Sequence, residues 1–252
     1  MTFNIWNYQS RWRDRRELIA GLILAHNPDA VALQETRHDF RYERGKGQGE
    51  QLAEMTGYLA FSHTAQVYIP IPRVDEGLTI LTRQPPRHTA VRRLTLLPRE
   101  RRDENHRICL CATLPAGSRE LHVFDTHFSL SARARQTNAV EVARFVAEQS
   151  GSHPAVLMGD LNAEPDSLPV RFLLGDQSID GERGDFVDCW VAAHPGDVGF
   201  TYASWGPFQR IDYVLGRNLG GMALQAQIVG DEASDGVFPS DHMGIVVDLD
   251  ME

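Results

Sequence analysis

Short apolar or alternating runs recur along the chain, and residues that favour turns follow most of them. Runs of this kind are typical of buried or half-buried strands. The turn at residues 115–118 indicates that the runs on either side of it form a hairpin. The predicted strands span residues 2–7, 30–34, 77–82, 90–96, 108–114, 121–127, 155–159, 210–215, 223–229 and 245–249.

Segments with apolar residues at helical spacing lie between these strands. The longest covers residues 132–149 and has a broad apolar face, and a second covers residues 15–26. Shorter helices are predicted at residues 51–55 and from Ser167 to Gly175. The mixture of short strands and separated helices predicts an α/β or α+β fold class.

The composition is that of an ordinary soluble protein, with 42% hydrophobic and 23% charged residues among 252. No apolar run approaches the length of a membrane span, and the first residues resemble a strand rather than a signal peptide. We therefore expect no integral membrane association. Nothing in the sequence indicates an obligate protein partner.

Cysteine usage bears on the compartment. The chain has 3 cysteines, Cys109, Cys111 and Cys189, and they show no Cys-x-x-Cys spacing. This argues against a disulfide framework or a zinc site and predicts a reducing, cytoplasmic environment.

The formal net charge is −9, which excludes a global attraction for nucleic acid or anionic membranes. Phosphate binding must then be local or depend on a bound cation. Arg11, Arg13, Arg15 and Arg16 could make local contacts to phosphate, but the pattern favours a solvated helix surface.

Aromatic residues accumulate in the polar, turn-rich segment 176–206. They could form a rim that faces the substrate, or they could simply pack in an irregular region. The sequence leaves both interpretations open. These residues are Phe186, Trp190, Phe200, Tyr202 and Trp205.

Titratable and amide side chains stand at or just after the ends of several predicted strands. Loops at one edge of layered α/β sheets collect such residues into a single site. Carboxylates held close together repel one another, and a divalent cation relieves the repulsion. Oxygen ligands suit Mg²⁺, or Mn²⁺ as a substitute, better than Zn²⁺. The residues are Asn4, Glu35, His127, Asp160, Asn162, Asp212, Asp241 and His242.

Each of these residues taken singly also fits a structural role. Asp160 could form a turn that caps a helix, Glu35 could be a solvated strand end, and His127 could be a structural hydrogen-bonding group. Their regular placement at strand ends favours a shared site. His242, with Asp212 available to hold its imidazole, indicates an oriented histidine.

Five short motifs carry a resemblance to a known family: Asn4, Gln34-Glu35-Thr36, Gly159-Asp160-Leu161-Asn162, Arg210-Ile211-Asp212-Tyr213 and Ser240-Asp241-His242. In this order the chain resembles the endonuclease/exonuclease/phosphatase superfamily, whose fold is DNase I-like. The match runs from Asn4 to His242, so the resemblance implies one domain over residues 1–252.

The resemblance implies a four-layer α/β/β/α sandwich, in which two mostly antiparallel β-sheets pack face to face with helices outside. The strand-rich middle of the sequence and its separated helices agree with that architecture. The resemblance also implies Mg²⁺-dependent hydrolysis of a phosphoester.

The metal ligands follow from the resemblance position by position. It implies Glu35 as the metal ligand, with Asn4 and Asp241 close by. Some family members place an aspartate two residues after the first asparagine, where this chain has Trp6. A second metal at the first strand is therefore not implied.

The catalytic residues follow in the same way. The resemblance implies that Asp160 and Asn162 position or deprotonate the attacking water. His242, held by Asp212, would contact the phosphate or act as an acid or base. Whether Asp160 or His242 is the general base stays open.

Further residues are expected to contact substrate. His127 matches the branch of the family that has a histidine after this strand, with Glu76 as a candidate partner. Arg37 lies two residues after Glu35 and can share its side of the strand. The predicted substrate contacts are Asn4, Arg37, Asn162 and His127.

We therefore predict a phosphodiesterase or nuclease that uses Mg²⁺ and in-line attack of water on phosphorus. The alternatives are a phosphatase, a phosphodiesterase acting on a lipid headgroup or another small molecule, and a non-catalytic binding module on the same fold. A serine or cysteine hydrolase is disfavoured, because the chain has no Gly-x-Ser-x-Gly elbow and no cysteine at a strand end near a histidine.

Overall fold

Two stacked β-sheets form the centre of the computed structural model, which describes residues 1–100, 102–220 and 224–251. The first sheet has the strand order β11-β12-β1-β2-β4-β3 once the strands are numbered along the chain. Its strands are β1 (Thr2–Asn4), β2 (Ala30–Asp39), β3 (Leu59–Ile69), β4 (Val74–Thr82), β11 (Leu224–Val229) and β12 (Gly244–Leu249).

The second sheet has the order β5-β6-β7-β8-β10-β9. Its strands are β5 (His88–Arg93), β6 (Ile108–Ala116), β7 (Arg119–His127), β8 (Ala155–Asp160), β9 (Val187–Asp188) and β10 (Asp212–Arg217). The helices of the described residues are α1 (Trp12–His26), α2 (Gln48–Thr56), α3 (Ala132–Ser150), α4 (Leu168–Leu173) and α5 (Cys189–Ala193).

Alternation along the strands sorts the apolar side chains into separate layers of core. In β6, Ile108 and Leu110 pack in the cluster between the two sheets, whereas Cys109 packs with Phe145 of α3 on the outer face. In β2, Val31 packs outward with residues of α1. The predicted four-layer sandwich is confirmed, because core lies between the sheets and also between each sheet and its helices.

Each sheet contains one parallel pair of strands, and all its other pairs are antiparallel. Helix α1 connects β1 to the parallel β2, and α3 connects β7 to the parallel β8. Two parallel strands that are joined by a crossover helix run in the same direction and end at the same edge of the sheet. Asn4, His127 and Asp160 are the last residues of β1, β7 and β8.

The edge strand β3 was not predicted as a separate element. Most of its side chains are partly or fully exposed, so its apolar residues do not mark a buried face. The short β9 and α5 were also not predicted. Helix α2 begins at Gln48, three residues before the predicted start of this helix at residue 51.

Two further observations concern compartment and membrane. All three cysteines are buried free thiols. Within the part of the chain that the structure describes, no helix has the length and apolar character needed to cross a membrane. Ala223, at the start of the predicted strand 223–229, lies outside the described residues.

Candidate active site

Sheet register brings three of the predicted residues side by side. His127 of β7 pairs with Asp160 of β8, and Asp160 also pairs with Asp212, the first residue of β10. Neighbouring strands lie about 4.8 Å apart, so these side chains leave the second sheet as one row. Asn4 reaches the row from the first sheet, since its Nδ2 donates to Asp160 Oδ2 at 3.0 Å. The two sheets therefore meet at this edge through a direct polar contact.

The apolar run before Glu35 had suggested that this residue lies at the end of a strand. The structure places it instead in a β-bulge within β2. Its φ is 58°, and the register between β2 and β4 shifts at this point. A bulge turns a side chain away from its regular alternation. The Glu35 carboxylate accepts hydrogen bonds from Asn7 Nδ2 at 2.8 Å and from Asn4 Nδ2 at 3.4 Å.

The surroundings of Glu35 fit a divalent cation. Burial raises the pKa of Glu35, and the negative charges of Glu76 and Asp241 raise it further. Asn7 Oδ1 is enclosed and has no hydrogen-bond partner among the described residues. A cation here would offset the charge of the Glu35 and Asp241 carboxylates, and Asn7 Oδ1 would be free to coordinate it. The available donors are oxygens of Glu35, Asn4, Asn7 and Asp241, which is the chemistry that Mg²⁺ prefers.

Asp160 is the most contacted carboxylate of the site. Its Oδ1 accepts a hydrogen bond from the backbone N–H of Asn162 at 2.8 Å. Its Oδ2 lies 3.5 Å from His127 Nε2 and 3.8 Å from His242 Nε2. Burial and the charge of Asp212 raise the pKa of Asp160 to about 7, against the opposing effect of the His242 charge. Asp160 can therefore both hold and release a proton near neutral pH.

His242 is held in place by Asp212, with 2.9 Å between Nδ1 and Asp212 Oδ2. Burial lowers the pKa of His242, but the charges of Asp212, Asp160 and Asp241 outweigh it and raise that pKa to about 10. The imidazole is therefore doubly protonated at neutral pH. Its Nδ1–H donates to Asp212, and its Nε2–H is left to face Asp160.

The side chains of Asp160, Asp212 and His242 also lie close enough together to hold a metal ion. One ligand atom each of Asp160, Asp212 and His242 lies within 4.8 Å of the others. A cation at this position would have to displace the proton on His242. The hydrogen-bond partners of the Glu35 carboxylate among the described residues are the neutral amides of Asn4 and Asn7, so a cation bound there would displace no proton from them.

His127 has the opposite protonation state to His242. Burial lowers the pKa of His127 well below its ordinary value, and the positive charges of Arg107 and His242 lower it further. A neutral imidazole has one nitrogen that donates and one that accepts. His127 can thus exchange hydrogen bonds with a neutral group, whereas His242 only donates.

The predicted partnership between Glu76 and His127 is wrong. Glu76 Oε2 instead accepts a hydrogen bond from Arg37 Nη2 at 2.7 Å, and Tyr68 covers the guanidinium at 5.1 Å from its ring centre. No hydrogen bond joins Glu76 to His127 in the described part of the chain. Arg37 is therefore held by Glu76 through Nη2, whereas its Nε is enclosed and has no hydrogen-bond partner among the described residues.

Asn162 lies next to Asp160 in a left-handed turn, with φ at 48°. Its backbone N–H donates to Asp160, and its side-chain Nδ2 donates to the carbonyl of Phe128 at 3.1 Å. One hydrogen bond thereby fixes the backbone N–H of Asn162, and the other fixes its side-chain amide. Asn162 and Asp160 form one rigid turn at the end of β8.

The prediction that Arg15 belongs to a solvated helix surface is wrong. Arg15 is 1% exposed, and Arg11 and Arg13 are exposed as predicted. The signal was present in the sequence, because Arg15 lies three residues after Trp12 and four before Ile19 on the buried face of α1. Its guanidinium donates to the carbonyl oxygens of Ile5, Trp6, Asn7, Gln9 and Pro239.

Comparison with protein families gives one match across most of the chain. Residues 1–242 match the model of the Endonuclease/Exonuclease/phosphatase family. Nocturnin from Drosophila melanogaster is 24% identical over 279 residues, which cover 95% of this chain and 42% of that protein. The chain therefore spans less than half of the length of this relative.

Solved structures share the fold over nearly the whole chain. An endonuclease/exonuclease/phosphatase from Bacteroides vulgatus has a TM-score of 0.78 at 19% identity, covering 100% of this chain and 97% of that one. A mannosyl-6-phosphatase from Bacteroides thetaiotaomicron has a TM-score of 0.73 at 16% identity, covering 99% and 98%.

Proposed function

Because the chain belongs to the endonuclease/exonuclease/phosphatase family, we propose that it is a Mg²⁺-dependent hydrolase whose substrate is a phosphodiester. The observation that carries the proposal is the position of Asp160 between two imidazoles. Its Oδ2 lies 3.5 Å from His127 Nε2 and 3.8 Å from His242 Nε2. A group that can accept a proton thus faces groups that can donate hydrogen bonds, as water attack on phosphorus requires.

In this proposal Glu35, Asn4 and Asp241 hold the Mg²⁺, for which Mn²⁺ can substitute. Asn7 adds an amide oxygen that sequence reasoning did not include. When bound, the cation would neutralise charge on a phosphoryl oxygen and on the leaving oxygen. The Glu35 position is favoured over the cluster around His242, because the protonated imidazole repels a cation.

Asp160 accepts the proton of the attacking water. A pKa of about 7 makes it a stronger base than an ordinary aspartate while leaving much of it ionised at neutral pH. His242 already carries its proton, so it is the weaker candidate for the base. Asn162 fixes Asp160 through its backbone N–H, and its side-chain amide, held by the carbonyl of Phe128, would help to position the attacking water.

His242 donates its Nε2–H to a phosphoryl oxygen, and Asp212 holds the ring in the required orientation. Charge on that oxygen grows as water attacks, so the hydrogen bond strengthens in the transition state. His127 is neutral and contributes a second hydrogen bond without adding charge. These roles agree with the two opposite pKa shifts of His242 and His127.

A diester is favoured over a monoester by the charge of the site. A phosphomonoester carries about −1.5 to −2 charges at neutral pH, more than a diester. The site holds Glu35, Asp160 and Asp241, and its nearby Arg37 is paired with Glu76. Protonated His242 and a bound Mg²⁺ would together supply three positive charges against the four carboxylates Glu35, Asp160, Asp212 and Asp241, so they would leave no excess positive charge for a second negative charge on the substrate.

The test is hydrolysis of three substrates, each with Mg²⁺ and with excess chelator. Bis(p-nitrophenyl) phosphate reports diester cleavage, p-nitrophenyl phosphate reports monoester cleavage, and supercoiled plasmid reports nuclease activity. We expect Mg²⁺-dependent cleavage of the diester above that of the monoester. A faster reaction with the monoester would make the protein a phosphatase, and no reaction with any substrate would favour a binding module.

A further inference from the structure

A short loop at residues 201–209 presents two aromatic rings to solvent beside the candidate active site. Trp205 is 59% exposed and Phe208 is 58% exposed. The loop is closed by backbone hydrogen bonds from Phe208 and Gln209 to the carbonyl of Tyr202, both at 2.8 Å. The structure thus holds the rings on a defined turn. Phe186 and Trp190, from the same aromatic-rich segment, are buried.

The loop is fastened to the residues that carry the proposed chemistry. The backbone N–H of Ser204 donates to the carbonyl of Asp241 at 2.9 Å, and Ser204 Oγ donates to the carbonyl of Ser240 at 2.7 Å. The ring of Tyr202 lies 4.9 Å from the His242 ring. Trp205 directly follows Ser204, so its position relative to the catalytic edge is set by these bonds.

A second indole approaches from the other sheet. Trp6 and Trp205 have ring centroids 6.1 Å apart and planes inclined at 49°. The backbone N–H of Trp6 donates to Asn4 Oδ1 at 3.0 Å, and the Arg15 guanidinium lies 5.2 Å from the Trp6 ring. Trp6 is therefore held beside the proposed cation ligands, just as Trp205 is held beside Asp241. The two indoles together form an aromatic face next to the site.

Trp205 is exposed and Trp6 is half-buried, so part of each ring is available for stacking on a ligand. Stacking of a nucleobase on an aromatic side chain contributes about 5- to 150-fold in affinity per base. A net charge of −9 gives no long-range attraction for a long polyanion. A site that stacks on a planar base but does not attract a long polyanion suits a small nucleotide.

We propose that Trp205 and Trp6 form a stacking subsite for the base of a nucleoside phosphodiester. This inference rests on the proposed function, since the base must be attached to the phosphate that is cleaved. It assigns to the aromatic face the selection of nucleotide esters over phosphoesters without a planar ring. The aromatic face adds binding energy and selectivity, and the chemistry stays with Asp160, His242 and the cation.

A matched pair of substrates tests the subsite. Thymidine 5′-p-nitrophenyl phosphate and methyl p-nitrophenyl phosphate share one leaving group, and only the first carries a base. We expect wild type to prefer the thymidine ester in kcat/KM. Trp205→Ala should lower the ratio of the two kcat/KM values by about 5- to 150-fold, and Trp205→Phe should retain part of the preference. Val191→Ala, an exposed apolar residue on α5, should keep the wild-type ratio.

A binding measurement separates the subsite from catalysis. In an Asp160→Asn background, the dissociation constants of AMP and of ribose 5-phosphate are measured by isothermal titration calorimetry, because the variants remove tryptophans. AMP should bind more tightly than ribose 5-phosphate, and Trp6→Phe with Trp205→Ala should abolish the difference.

The two hypotheses fail in different ways. Equal ratios for wild type and Trp205→Ala, with both esters cleaved, would overturn the subsite and leave the hydrolase intact. If Trp205→Ala lowered kcat/KM equally for mannose 6-phosphate and for the thymidine ester, the aromatic face would bind rings in general. That result would also overturn selection of nucleotides. If no ester were cleaved in the presence of Mg²⁺ while AMP still bound more tightly than ribose 5-phosphate, the proposed function would be overturned instead.

Discussion

The guanidinium of Arg15 donates a hydrogen bond from Nη1 to the carbonyl oxygen of Pro239 at 3.0 Å, across 224 positions of the chain. The same group donates to carbonyls in the segment that carries Asn4 and Asn7. One buried side chain of α1 thus joins the segment after β1 to the segment before His242. Both segments supply residues of the candidate site, so Arg15 is a positioning residue for it.

Arg15→Gln should destabilise the protein strongly. A buried hydrogen-bonding group that loses its partner costs about 1–3 kcal/mol, and several carbonyls lose theirs here. We expect the free energy of unfolding in urea to fall by at least about 3 kcal/mol. Arg13→Gln is the matched control, because the Arg13 side chain is 84% exposed and should change stability by less than about 0.5 kcal/mol. Equal effects of the two substitutions would mean that the buried arginine has no special role.

Asp160→Asn should remove the proton acceptor and keep the fold. A positioned base contributes about 10²- to 10⁴-fold to the rate. We expect kcat for diester hydrolysis to fall by at least about 100-fold, with the circular dichroism spectrum unchanged. Asp231→Asn, an exposed residue after β11, should keep full activity. Wild-type turnover in the Asp160 variant would refute its role as base.

Asp212→Asn should change the pH dependence of activity. Asp212 is the main group that raises the pKa of His242 to about 10, so wild-type His242 stays protonated up to alkaline pH. Without that charge the pKa falls, and the imidazole loses its proton at lower pH. The alkaline limb of kcat/KM should therefore move to lower pH. NMR titration of the His242 Cε1–H signal checks this directly, and an unmoved pKa would contradict the coupling.

Glu35→Gln should weaken Mg²⁺ binding. A ligand that binds only the folded state raises the melting temperature as its concentration rises. We expect Mg²⁺ to raise the melting temperature of wild type and of the exposed control Glu232→Gln, with little effect on Glu35→Gln. If Asp212→Asn abolished the response and Glu35→Gln preserved it, the cation would belong to the Asp160, Asp212 and His242 cluster instead.

Asp125→Asn should alter how stability depends on pH. Asp125 is fully buried between the sheets, where its Oδ1 accepts a hydrogen bond from Gln34 Nε2 at 2.6 Å. Burial raises its pKa well above the ordinary value, outweighing its hydrogen bonds. The folded state therefore keeps a proton that the unfolded chain releases above about pH 4.

Stability of the wild type should then fall relative to Asp125→Asn as pH rises from about 4 towards neutral. The slope of the difference is at most about 1.4 kcal/mol per pH unit. Urea unfolding of both proteins at several pH values measures this difference, and Asp231→Asn should follow the wild-type curve. Parallel curves for wild type and Asp125→Asn would show that Asp125 is ionised in the fold.

Local patterns in the sequence were sufficient to predict most strands, the helices α1 and α3, and the polar residues at the ends of β1 and β8. A buried strand excludes polar side chains, so the first polar residue after an apolar run marks where the chain leaves the core. Asp160 was predicted on this basis and Asn4 as an amide among the apolar residues of the predicted strand 2–7, and their motifs carried the family resemblance that the comparisons confirm. These features depend on residues close together in the chain.

Features that depend on contacts between distant segments were decided only by the tertiary structure. The bulge at Glu35, the ion pair of Arg37 with Glu76 and the burial of Arg15 each require a partner strand or loop that no local pattern specifies. The approach of Trp6 to Trp205 is of the same kind, because Trp6 follows β1 of the first sheet and Trp205 precedes β10 of the second. The preference of a side chain for the core or for water is a property of that residue alone, so it can be estimated from the local sequence. These contacts form only when distant segments have packed together.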